Sequence, residues 1–459
     1  MRKHYEAKPC IIMDNAVVNS TWPEKVVVLA GNKSTTASIL SVPRLRPLQS
    51  DCIILNHSAA KKLMLPNNYS LRFQIVHHLP FTIRLGPLVG VLTTVPLDRR
   101  HGLPVSKEAR LFEEMFMLAS RLGILMYLFY AHDIDWKSAT VKGYTLCKRE
   151  INEFRWINQV LPLPNIVYNR IRYRRIEDMS TIQLTLKKLA NHRDIHLFNS
   201  RFLNKWEVYE ALNSDSVISE FLPITKPYSP KNLSVLTGNY SEVFLKPRNS
   251  SVGKGIIKLI KQADGNFQYQ LVGNDHKLLV RNSTGKGLYN KLKQYIENPQ
   301  DYLVQQGIDL ARLNNNVFDL RTLVQKDRRG NWRLVGVGAR VAANKSFLTH
   351  IPNGGQTASY QQIMTYVFGN SPSIEKIFKD QMHTILRYVP KCLERELNLT
   401  LAVLSIDIGI DSTGKIWIIE VNSKPASFDE DAIRNKHLQY FYDYCLFLTG
   451  KKQIKEEHI

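Results

Sequence analysis

One segment near the C-terminus, LSIDIGIDSTGKIWIIEVNSKPA, constrains the fold more than any other part of the chain. Apolar residues alternate with others around Asp407, and residues 411–414 have the composition of a turn, so the segment predicts a β-hairpin. Because side chains repeat every two residues along a strand, the returning strand sets Glu420 beside Asp407. It also places Asn422 on the same face as Glu420.

Three side-chain oxygens at one edge of a sheet are ligands that Mg²⁺ takes when the phosphates of a substrate complete its coordination shell. We therefore expect Asp407, Glu420 and Asn422 to bind magnesium together with a nucleotide. The plain alternative is a solvated hairpin whose carboxylates meet by chance.

A second feature is a lysine followed by a glycine-containing loop, in FLKPRNSSVGKGI. A strand over residues 243–246 would hold Lys246 as a point charge for phosphate oxygens, and glycines allow backbone N–H groups to approach phosphate closely. The loop is not a Walker A loop, because a glycine follows its lysine where that motif needs a magnesium-binding Ser or Thr. The nucleotide contacts expected in this loop are Ser250, Gly253, Lys254 and Gly255.

The hairpin and this loop resemble the ATP-grasp ligases, in which an Asp precedes a Glu-x-Asn by thirteen residues, as Asp407 precedes Glu420 here. The resemblance implies the ATP-grasp fold, ATP as the nucleotide, and two Mg²⁺ ions that bridge its phosphates, with Mn²⁺ as a substitute. Members of the superfamily often begin with a helix whose lysine reaches a phosphate. Lys205, in a helix predicted over residues 198–212, matches that lysine, and a surface lysine is the alternative.

The resemblance also assigns the adenine-binding hinge to residues 302–308, where an apolar strand ends. Gln305 occupies the position at which many relatives carry a Glu that accepts a hydrogen bond from the adenine amino group. A carboxamide oxygen can accept the same bond. The backbone of Gln306 would pair with the base, and Ile308 would pack against the ring.

Two further strands carry the residues expected to meet the ribose and the transferred phosphate. Alternation over residues 318–324 puts Asp319 and Arg321 on one face. By resemblance Asp319 meets the ribose and Arg321 the phosphate; a same-face ion pair is the alternative. Arg340 matches an arginine of the amino-acid and peptide ligases, and its fork suits acyl-phosphate oxygens, so Arg321 and Arg340 are the expected catalytic residues. In the loop that follows, His350 replaces the usual Asn.

The pattern along the chain predicts a multidomain protein of α/β and α+β class. Short alternating runs broken by Gly, Pro, Asn and Ser indicate a β-rich domain over residues 1–85. Strand and helix patterns alternate over residues 86–198 and indicate a small α/β domain. The ATP-grasp domain is expected over residues 199–452, with a lid at about 225–303.

Phrases spread over the whole chain resemble the YheC/YheD endospore coat-associated family of the ATP-grasp superfamily. They are RLGPLVGVLT, YNRIRYR, FNSRFLNKWEVYEAL and FLKPRNSSVGKGI. This resemblance implies a spore-forming bacterium, synthesis in the mother-cell cytoplasm and association with the spore coat.

The chain is strongly basic, with 62 Lys and Arg against 40 Asp and Glu and a formal net charge of +22. Such a surplus favours anionic partners such as nucleotides, acidic polymers or cell-envelope material. A dense basic cluster, YNRIRYRR at residues 168–175, has two readings: an anion site, or a solvated surface with tyrosines used in packing. No recognised nucleic-acid motif accompanies it, so we expect no specific nucleic-acid partner.

The five cysteines are widely spaced and form no CxxC pair, which is typical of reduced cysteines in an intracellular protein. No apolar stretch reaches the length of a membrane span, and the first residues lack the pattern of an export signal. The expected location is the cytoplasm, with no membrane span.

Together these features predict an ATP- and magnesium-dependent ligase that joins a carboxylate to an amine, or to a related nucleophile, through an acyl phosphate. Acidic peptide or cell-envelope material are the expected substrates, and spore-coat proteins the expected partners. Two other classes stay open: a nucleotide-binding coat protein without catalysis, and an ATP-grasp kinase that acts on a non-carboxylate. The departures at Gln305 and His350 count toward the non-catalytic class.

Overall fold

The computed structural model describes residues 8–19, 21–43, 51–67, 69–96, 106–150, 153–250, 253–272, 278–285, 287–343, 346–349, 355–369 and 371–450. Over these residues the chain divides into two compact units. The first falls within Met1–Arg201, Lys326–Asn331 and Arg434–Ile459, and the second within Phe202–Gln325 and Trp332–Ile433.

The first unit begins with a closed barrel built from the short alternating runs of the sequence. The barrel strands among the described residues are β1 (Cys10–Asp14), β2 (Lys25–Ala30), β3 (Lys33–Val42), β4 (Cys52–Leu55), β5 (Ser70–His78) and β6 (Phe81–Leu85). They are hydrogen-bonded in the order β1-β3-β2-β6-β5-β4. Helix α1 (His57–Leu63) follows β4, and its cap residue Asn56 accepts a hydrogen bond from the backbone N–H of Ala59.

A second sheet of the same unit mixes parallel and antiparallel strands. Its strands are β7 (Leu88–Thr93), β8 (Leu125–Phe129), β9 (Ile134–Asp135), β10 (Thr140–Glu150), β11 (Glu153–Pro162), β12 (Ile166–Arg170) and β13 (His196–Phe198). Strands β7, β8, β12 and β13 pair in parallel, while β10 pairs antiparallel with β8 and β11. Parallel pairs need crossovers, and helices α2 (Lys107–Arg121), α3 (Arg174–Glu177) and α4 (Ser180–Ala190) lie in these connections.

The second unit contains two more sheets. In the first of these, β14 (Thr225–Pro227), β15 (Glu242–Pro247), β16 (Ile257–Lys261), β17 (Phe267–Val272), β18 (Leu278–Ser283) and β19 (Tyr302–Gln306) follow the order β14-β19-β15-β16-β17-β18. The other contains β20 (Arg312–Leu313), β21 (Asn316–Lys326), β22 (Trp332–Val341), β23 (Gln356–Ser359), β24 (Val403–Ile410) and β25 (Ile416–Asn422). Its order is β23-β22-β21-β24-β25, with β20 paired to β21.

The remaining helices are α5 (Lys205–Asn213), α6 (Pro230–Asn239), α7 (Leu288–Leu292), α8 (Tyr360–Phe368), α9 (Pro372–Leu397) and α10 (Asp431–Leu448). Within the described ranges, single turns of 3-10 helix lie at Ala131–Asp133, Ser219–Phe221 and Pro299–Asp301. Helices and strands thus share several sheets, and the predicted α+β class is confirmed.

The helix that carries Lys205 begins later than the sequence pattern predicted. Phe198 belongs to β13, and Asn199 has a left-handed φ of 52°, so a helix cannot run through these residues. The cap is Asn204, whose side chain accepts from the first turn while Glu207 accepts from the backbone N–H of Asn204. This second Asn forms a capping box with Glu207, and it decides where α5 starts.

All five cysteines are free thiols, as the spacing predicted. Over the described residues, the helices are too short or too polar to cross a membrane.

Candidate functional site

One face of the last sheet carries the predicted metal ligands. Along β24, Leu404 and Ile406 pack into the core of the second unit, so Ser405 and Asp407 lie on the opposite face. Every residue of β24 is buried. Charges on this face are therefore held away from bulk water, where they interact strongly.

The hairpin of β24 and β25 has the predicted register. Asp407 lies opposite Glu420, and Ser405 lies opposite Asn422. After Asp407 the register shifts, so that Ile419 is the extra residue of a bulge in β25. The juxtaposition of Asp407, Glu420 and Asn422 is present, and their role as metal ligands stays a prediction.

Arg340 joins two carboxylates on neighbouring strands. Its Nε and Nη2 donate to Oδ1 and Oδ2 of Asp319, both at 2.8 Å, and Nη2 lies 3.0 Å from Oδ2 of Asp407. The Thr349 hydroxyl donates to Oδ2 of Asp319 at 2.5 Å. Arg340 therefore fixes the position of Asp407 through a cluster that spans β21, β22 and β24.

The pKa values of Arg340 and Asp319 are set by burial and by the charges of their neighbours. Burial by itself lowers the pKa of Arg340, but the charges of Asp407 and Asp319 outweigh it and raise that pKa above its ordinary value. Burial raises the pKa of the Asp319 carboxyl; Arg340 opposes the rise and Asp407 adds to it. The charge of Arg321 also interacts with both carboxylates.

One oxygen of the Asp407 carboxylate is free to bind a cation. Its Oδ1 is buried and has no hydrogen-bond partner among the described residues, and such an unpaired oxygen costs free energy. Together with Glu420 and Asn422 it forms an all-oxygen donor set, which suits Mg²⁺. In the described part of the chain no group of three His, Cys, Asp or Glu could hold a metal, so the amide of Asn422 has to complete this set.

Two lysines lie beside Glu420. Lys205 Nζ is 3.1 Å from Oε1 of Glu420 and donates to the Ser250 carbonyl at 2.6 Å. Lys246 donates to the side-chain oxygen of Gln305. Burial lowers the pKa of Lys246 to about 8; Glu420 opposes this and Lys205 adds to it.

These groups line a cleft within the second unit. Its polar wall consists of Lys205, Thr225, Lys246, Gln305 and Glu420. Its apolar wall includes Leu212, Leu222, Pro223, Leu303 and Ile419. An apolar slot with a few converging polar groups is the usual form of a small-molecule site, and this one suits a base at the apolar wall and phosphates at the lysines.

The glycine loop after β15 requires its glycines. Gly253 and Gly255 have left-handed φ values of 72° and 75°, a conformation that other residues adopt only with strain. Lys254 between them is exposed. Ser250 turns its carbonyl to the site, where it accepts from Lys205.

Only part of the predicted adenine hinge lines the cleft. Gln305 does so, but its oxygen accepts from Lys246 and its Nε2 donates to Thr225 at 2.8 Å. The Gln306 backbone N–H donates to the carbonyl of Ile224 at 2.8 Å. Ile308 is not among the residues that line the cleft.

Arg321 lies opposite Asp407 in the ladder between β21 and β24. Its Nη2 donates to the Ala426 carbonyl at 2.9 Å, and its guanidinium lies 4.4 Å from the ring centroid of Phe428. Burial lowers the pKa of Arg321, and Asp407 opposes this. Asp319 pairs with Arg340 instead of Arg321, so the ion pair considered from the sequence is wrong. His350 lies outside the described residues.

Three residues of the site were not predicted from the sequence. Thr349 donates to Asp319, Thr225 receives a hydrogen bond from Gln305, and Ile419 lines the cleft at the bulge. Thr225 and Thr349 meet partners 80 and 30 residues away, which no local pattern reveals. The position of Ile419 could have been predicted, because it belongs to the apolar run directly before Glu420.

With this geometry in view, comparison with known proteins decides the family. A family model described as YheC/D-like ATP-grasp matches residues 194–448. The chain belongs to this ATP-grasp family. The endospore coat-associated protein YheD of Bacillus subtilis (strain 168) is 30% identical over 379 residues, covering 81% of this chain and 79% of that protein. YheC of the same strain is 23% identical over 334 residues, covering 72% and 86%.

The predicted family and the predicted ATP-grasp fold are thereby confirmed. Among solved structures, the chain is similar to the VanG D-Ala:D-Ser ligase from Enterococcus faecalis, with 12% identity and a TM-score of 0.44. That match covers 79% of this chain and 99% of the other. In this chain the matched region contains both sheets of the second unit.

Proposed function

We propose that this protein is an ATP- and magnesium-dependent ligase that joins a carboxylate to an amine or a related nucleophile. Membership of the ATP-grasp family supports the nucleotide. The observation that carries the proposal is Asp407, whose Oδ1 has no partner among the described residues; this carboxylate is aligned with Glu420 and Asn422 and flanked by Arg340. A purely structural carboxylate would have its oxygens paired.

The reaction transfers the γ-phosphoryl group and then an acyl group. A substrate carboxylate oxygen attacks the γ-phosphorus, and ADP leaves. The nucleophile then attacks the acyl carbon of the acyl phosphate, loses its proton and releases inorganic phosphate. Magnesium bound to Asp407, Glu420 and Asn422 would neutralise phosphate charge.

The side chains of the cleft have separate tasks in this scheme. Lys205 and Lys246 bind phosphate oxygens, with Ser250, Gly253, Lys254 and Gly255 covering them as a loop. Arg321 and Arg340 stabilise charge that develops on the transferred phosphoryl group, because fixed charges in a buried site act strongly on a transition state. Asp319 holds Arg340 in position through two hydrogen bonds.

The first test uses the Glu420→Gln variant. Three protein oxygens leave the magnesium shell incomplete, so ATP with Mg²⁺ should raise the melting temperature of the wild type more than either alone. Glu420→Gln should lose most of this synergy. The matched control is Asp411→Asn, in the turn of the same hairpin, where Asp411 bonds to Thr413 and Trp417. This control should lower the melting temperature and keep the synergy; equal synergy in wild type and Glu420→Gln excludes the site.

A second test separates an enzyme from a nucleotide-binding scaffold. Arg340→Ala should keep nucleotide affinity within a few-fold and abolish ADP release that depends on a second substrate, a loss on the order of 10²-fold or more. The assay couples ADP production to a pooled library of amino acids, peptides and acidic cell-wall fragments. If the wild type binds ATP but releases no ADP with any library member, the ligase proposal is wrong and a nucleotide-binding coat scaffold takes its place.

The names of the two relatives support a proposed cellular location. Both are named endospore coat-associated proteins, and we extend that association, with synthesis in the mother-cell cytoplasm, to this chain. The net charge of +22 suits acidic substrates in such a setting. Immunolocalisation in sporulating cells tests this part alone: a signal confined to vegetative cells contradicts it and leaves the ligase proposal intact.

A further inference from the structure

A second polar atom near the metal ligands is buried without a partner. Ser405 is 1% exposed, and its hydroxyl has no hydrogen-bond partner within the described part of the chain. A buried hydroxyl normally donates or accepts at least one hydrogen bond, so this one can bond to a neighbouring side chain that changes its orientation. Ser405 lies two residues before Asp407, whose Oδ1 is unpaired in the same way.

The position of Ser405 in the sheet identifies that partner. Ser405 lies directly opposite Asn422 in the ladder between β24 and β25. Side chains at such positions share a face, with Cβ atoms about 4.5–5.5 Å apart. The unpaired hydroxyl therefore lies next to the one predicted metal ligand that is an amide.

An amide ligand has an orientation problem that a carboxylate lacks. Asn422 must present its oxygen to the cation, while its NH₂ group, which repels a cation, must point elsewhere and find an acceptor. Ligand groups of metal sites are usually held by such outer hydrogen bonds. A serine hydroxyl oxygen across the ladder is an acceptor in a suitable place.

We propose that Ser405 is a positioning residue for the metal site: its hydroxyl accepts a hydrogen bond from the Asn422 side-chain NH₂ and so turns the Asn422 oxygen toward magnesium. Asn422 contacts the metal and Ser405 does not. The inference rests on the proposed function, because it needs Asn422 to be a ligand.

The test measures Mn²⁺ binding by electron paramagnetic resonance, in the presence of a non-hydrolysable ATP analogue. Ser405→Ala should weaken Mn²⁺ affinity about tenfold or more, the usual effect of losing an outer hydrogen bond. The melting temperature of the ligand-free protein should stay equal or rise, because the variant removes an unpaired buried hydroxyl. Unchanged Mn²⁺ affinity overturns the inference.

The control is Thr322→Val on the neighbouring strand. The Thr322 hydroxyl is buried too, but it already donates to the Ile406 carbonyl at 3.0 Å. This variant should lower the melting temperature and leave Mn²⁺ affinity unchanged. Loss of Mn²⁺ affinity in Thr322→Val as large as in Ser405→Ala would mean that any disturbance of the sheet weakens the site, which also overturns the inference.

A double mutant shows whether Ser405 acts through the amide. A carboxylate offers an oxygen in either orientation, so in the Asn422→Asp background Ser405→Ala should change Mn²⁺ affinity less than about twofold, a coupling of the kind a double-mutant cycle measures. The full tenfold loss in that background contradicts the proposed contact. A wild type that binds no Mn²⁺ with the analogue overturns the proposed function itself, and the inference with it.

Discussion

An arginine lies beside carboxylates in each of the two units, and the clusters of Arg340 and Arg170 serve different ends. In the second unit Arg340 bridges Asp319 and Asp407, and Oδ1 of Asp407 remains without a partner among the described residues. In the first unit Arg170 pairs with Glu108 at 2.9 Å, with side chains 6% and 15% exposed. The two oxygens of Glu108 both face a guanidinium, because Oε2 lies 4.0 Å from Nε of Arg172.

The surroundings of Arg170 are those of a packed core. The ring of Tyr168 stacks on Phe198 with centroids 5.1 Å apart, and burial together with the charge of Arg170 lowers the pKa of His437 to about 3. His437 is therefore neutral at physiological pH and adds no charge beside Arg170. The buried part of the basic cluster at residues 168–175 is thus explained by packing and an ion pair.

The difference between the two clusters distinguishes a structural ion pair from a binding site. A carboxylate whose two oxygens both face a guanidinium gains little from a further cation, whereas a buried carboxylate oxygen without a partner is stabilised by one. Residues 168–175 are dense in charge, but the feature that indicates a bound cation is Oδ1 of Asp407, which has no partner among the described residues. Three predictions probe this comparison, beginning with the largest expected effect.

Glu108→Gln should destabilise the protein by about 3–5 kcal/mol, because it leaves a buried arginine without its carboxylate. Urea unfolding measures the loss. The control is Glu114→Gln, whose partner Arg434 is 3.0 Å away in a pair with side chains about one quarter exposed; its expected cost is below about 1 kcal/mol. Equal costs for the two variants would mean that burial does not set the strength of these pairs.

Asp407→Asn should do the reverse, with little effect on stability and a large effect on ligand binding. The amide keeps the shape of the side chain, and Arg340 retains two hydrogen bonds to Asp319. We expect a change in unfolding free energy below about 1 kcal/mol. Wild type at a hundredfold excess of Mg²⁺–nucleotide analogue over Kd gains about 2.7 kcal/mol, and the variant should gain far less. If Asp407→Asn is as destabilised as Glu108→Gln, the Asp407 carboxylate has a structural role and is not a ligand site.

Local sequence signals were enough for the hairpin that carries the metal ligands. The alternation around Asp407, the turn and the return to Glu420 all lie within a few residues, so register follows from the strand repeat. The same holds for the glycine loop, since Gly253 and Gly255 occupy backbone conformations that favour glycine. These features could be predicted because their causes are local.

Long-range pairing could not be predicted in this way. Arg340 reaches Asp319 across 21 residues, and Gln305 uses its oxygen for Lys246, 59 residues away. Assigning Gln305 to adenine from its position alone overlooked this competitor. The start of α5 was misplaced for a different reason: the apolar spacing extends back to residue 198, whereas the capping box with Glu207 makes Asn204 the cap.

Nucleotide binding should depend on pH through Lys246, a buried charge next to the proposed phosphate site. Its pKa of about 8 lies below the ordinary value for lysine, so without ligand Lys246 loses its proton as pH rises through 8. Bound phosphates would hold that proton to higher pH, so binding takes up a proton and affinity falls as pH rises. Between pH 7 and pH 9 we expect nucleotide affinity to drop about tenfold, because one unit above its pKa a group is about one-tenth charged.

Isothermal titration of an ATP analogue with Mg²⁺ at the two pH values measures this drop. Lys246→Arg is the matched variant, since arginine keeps its charge at both values and should flatten the pH dependence. The neighbours that also carry charge, Glu420 and Lys205, are the same in both proteins. A tenfold drop that persists in Lys246→Arg would assign the titration to another group. A flat profile in the wild type would mean that Lys246 stays charged at pH 9, and that its burial is already offset by Glu420 without a ligand.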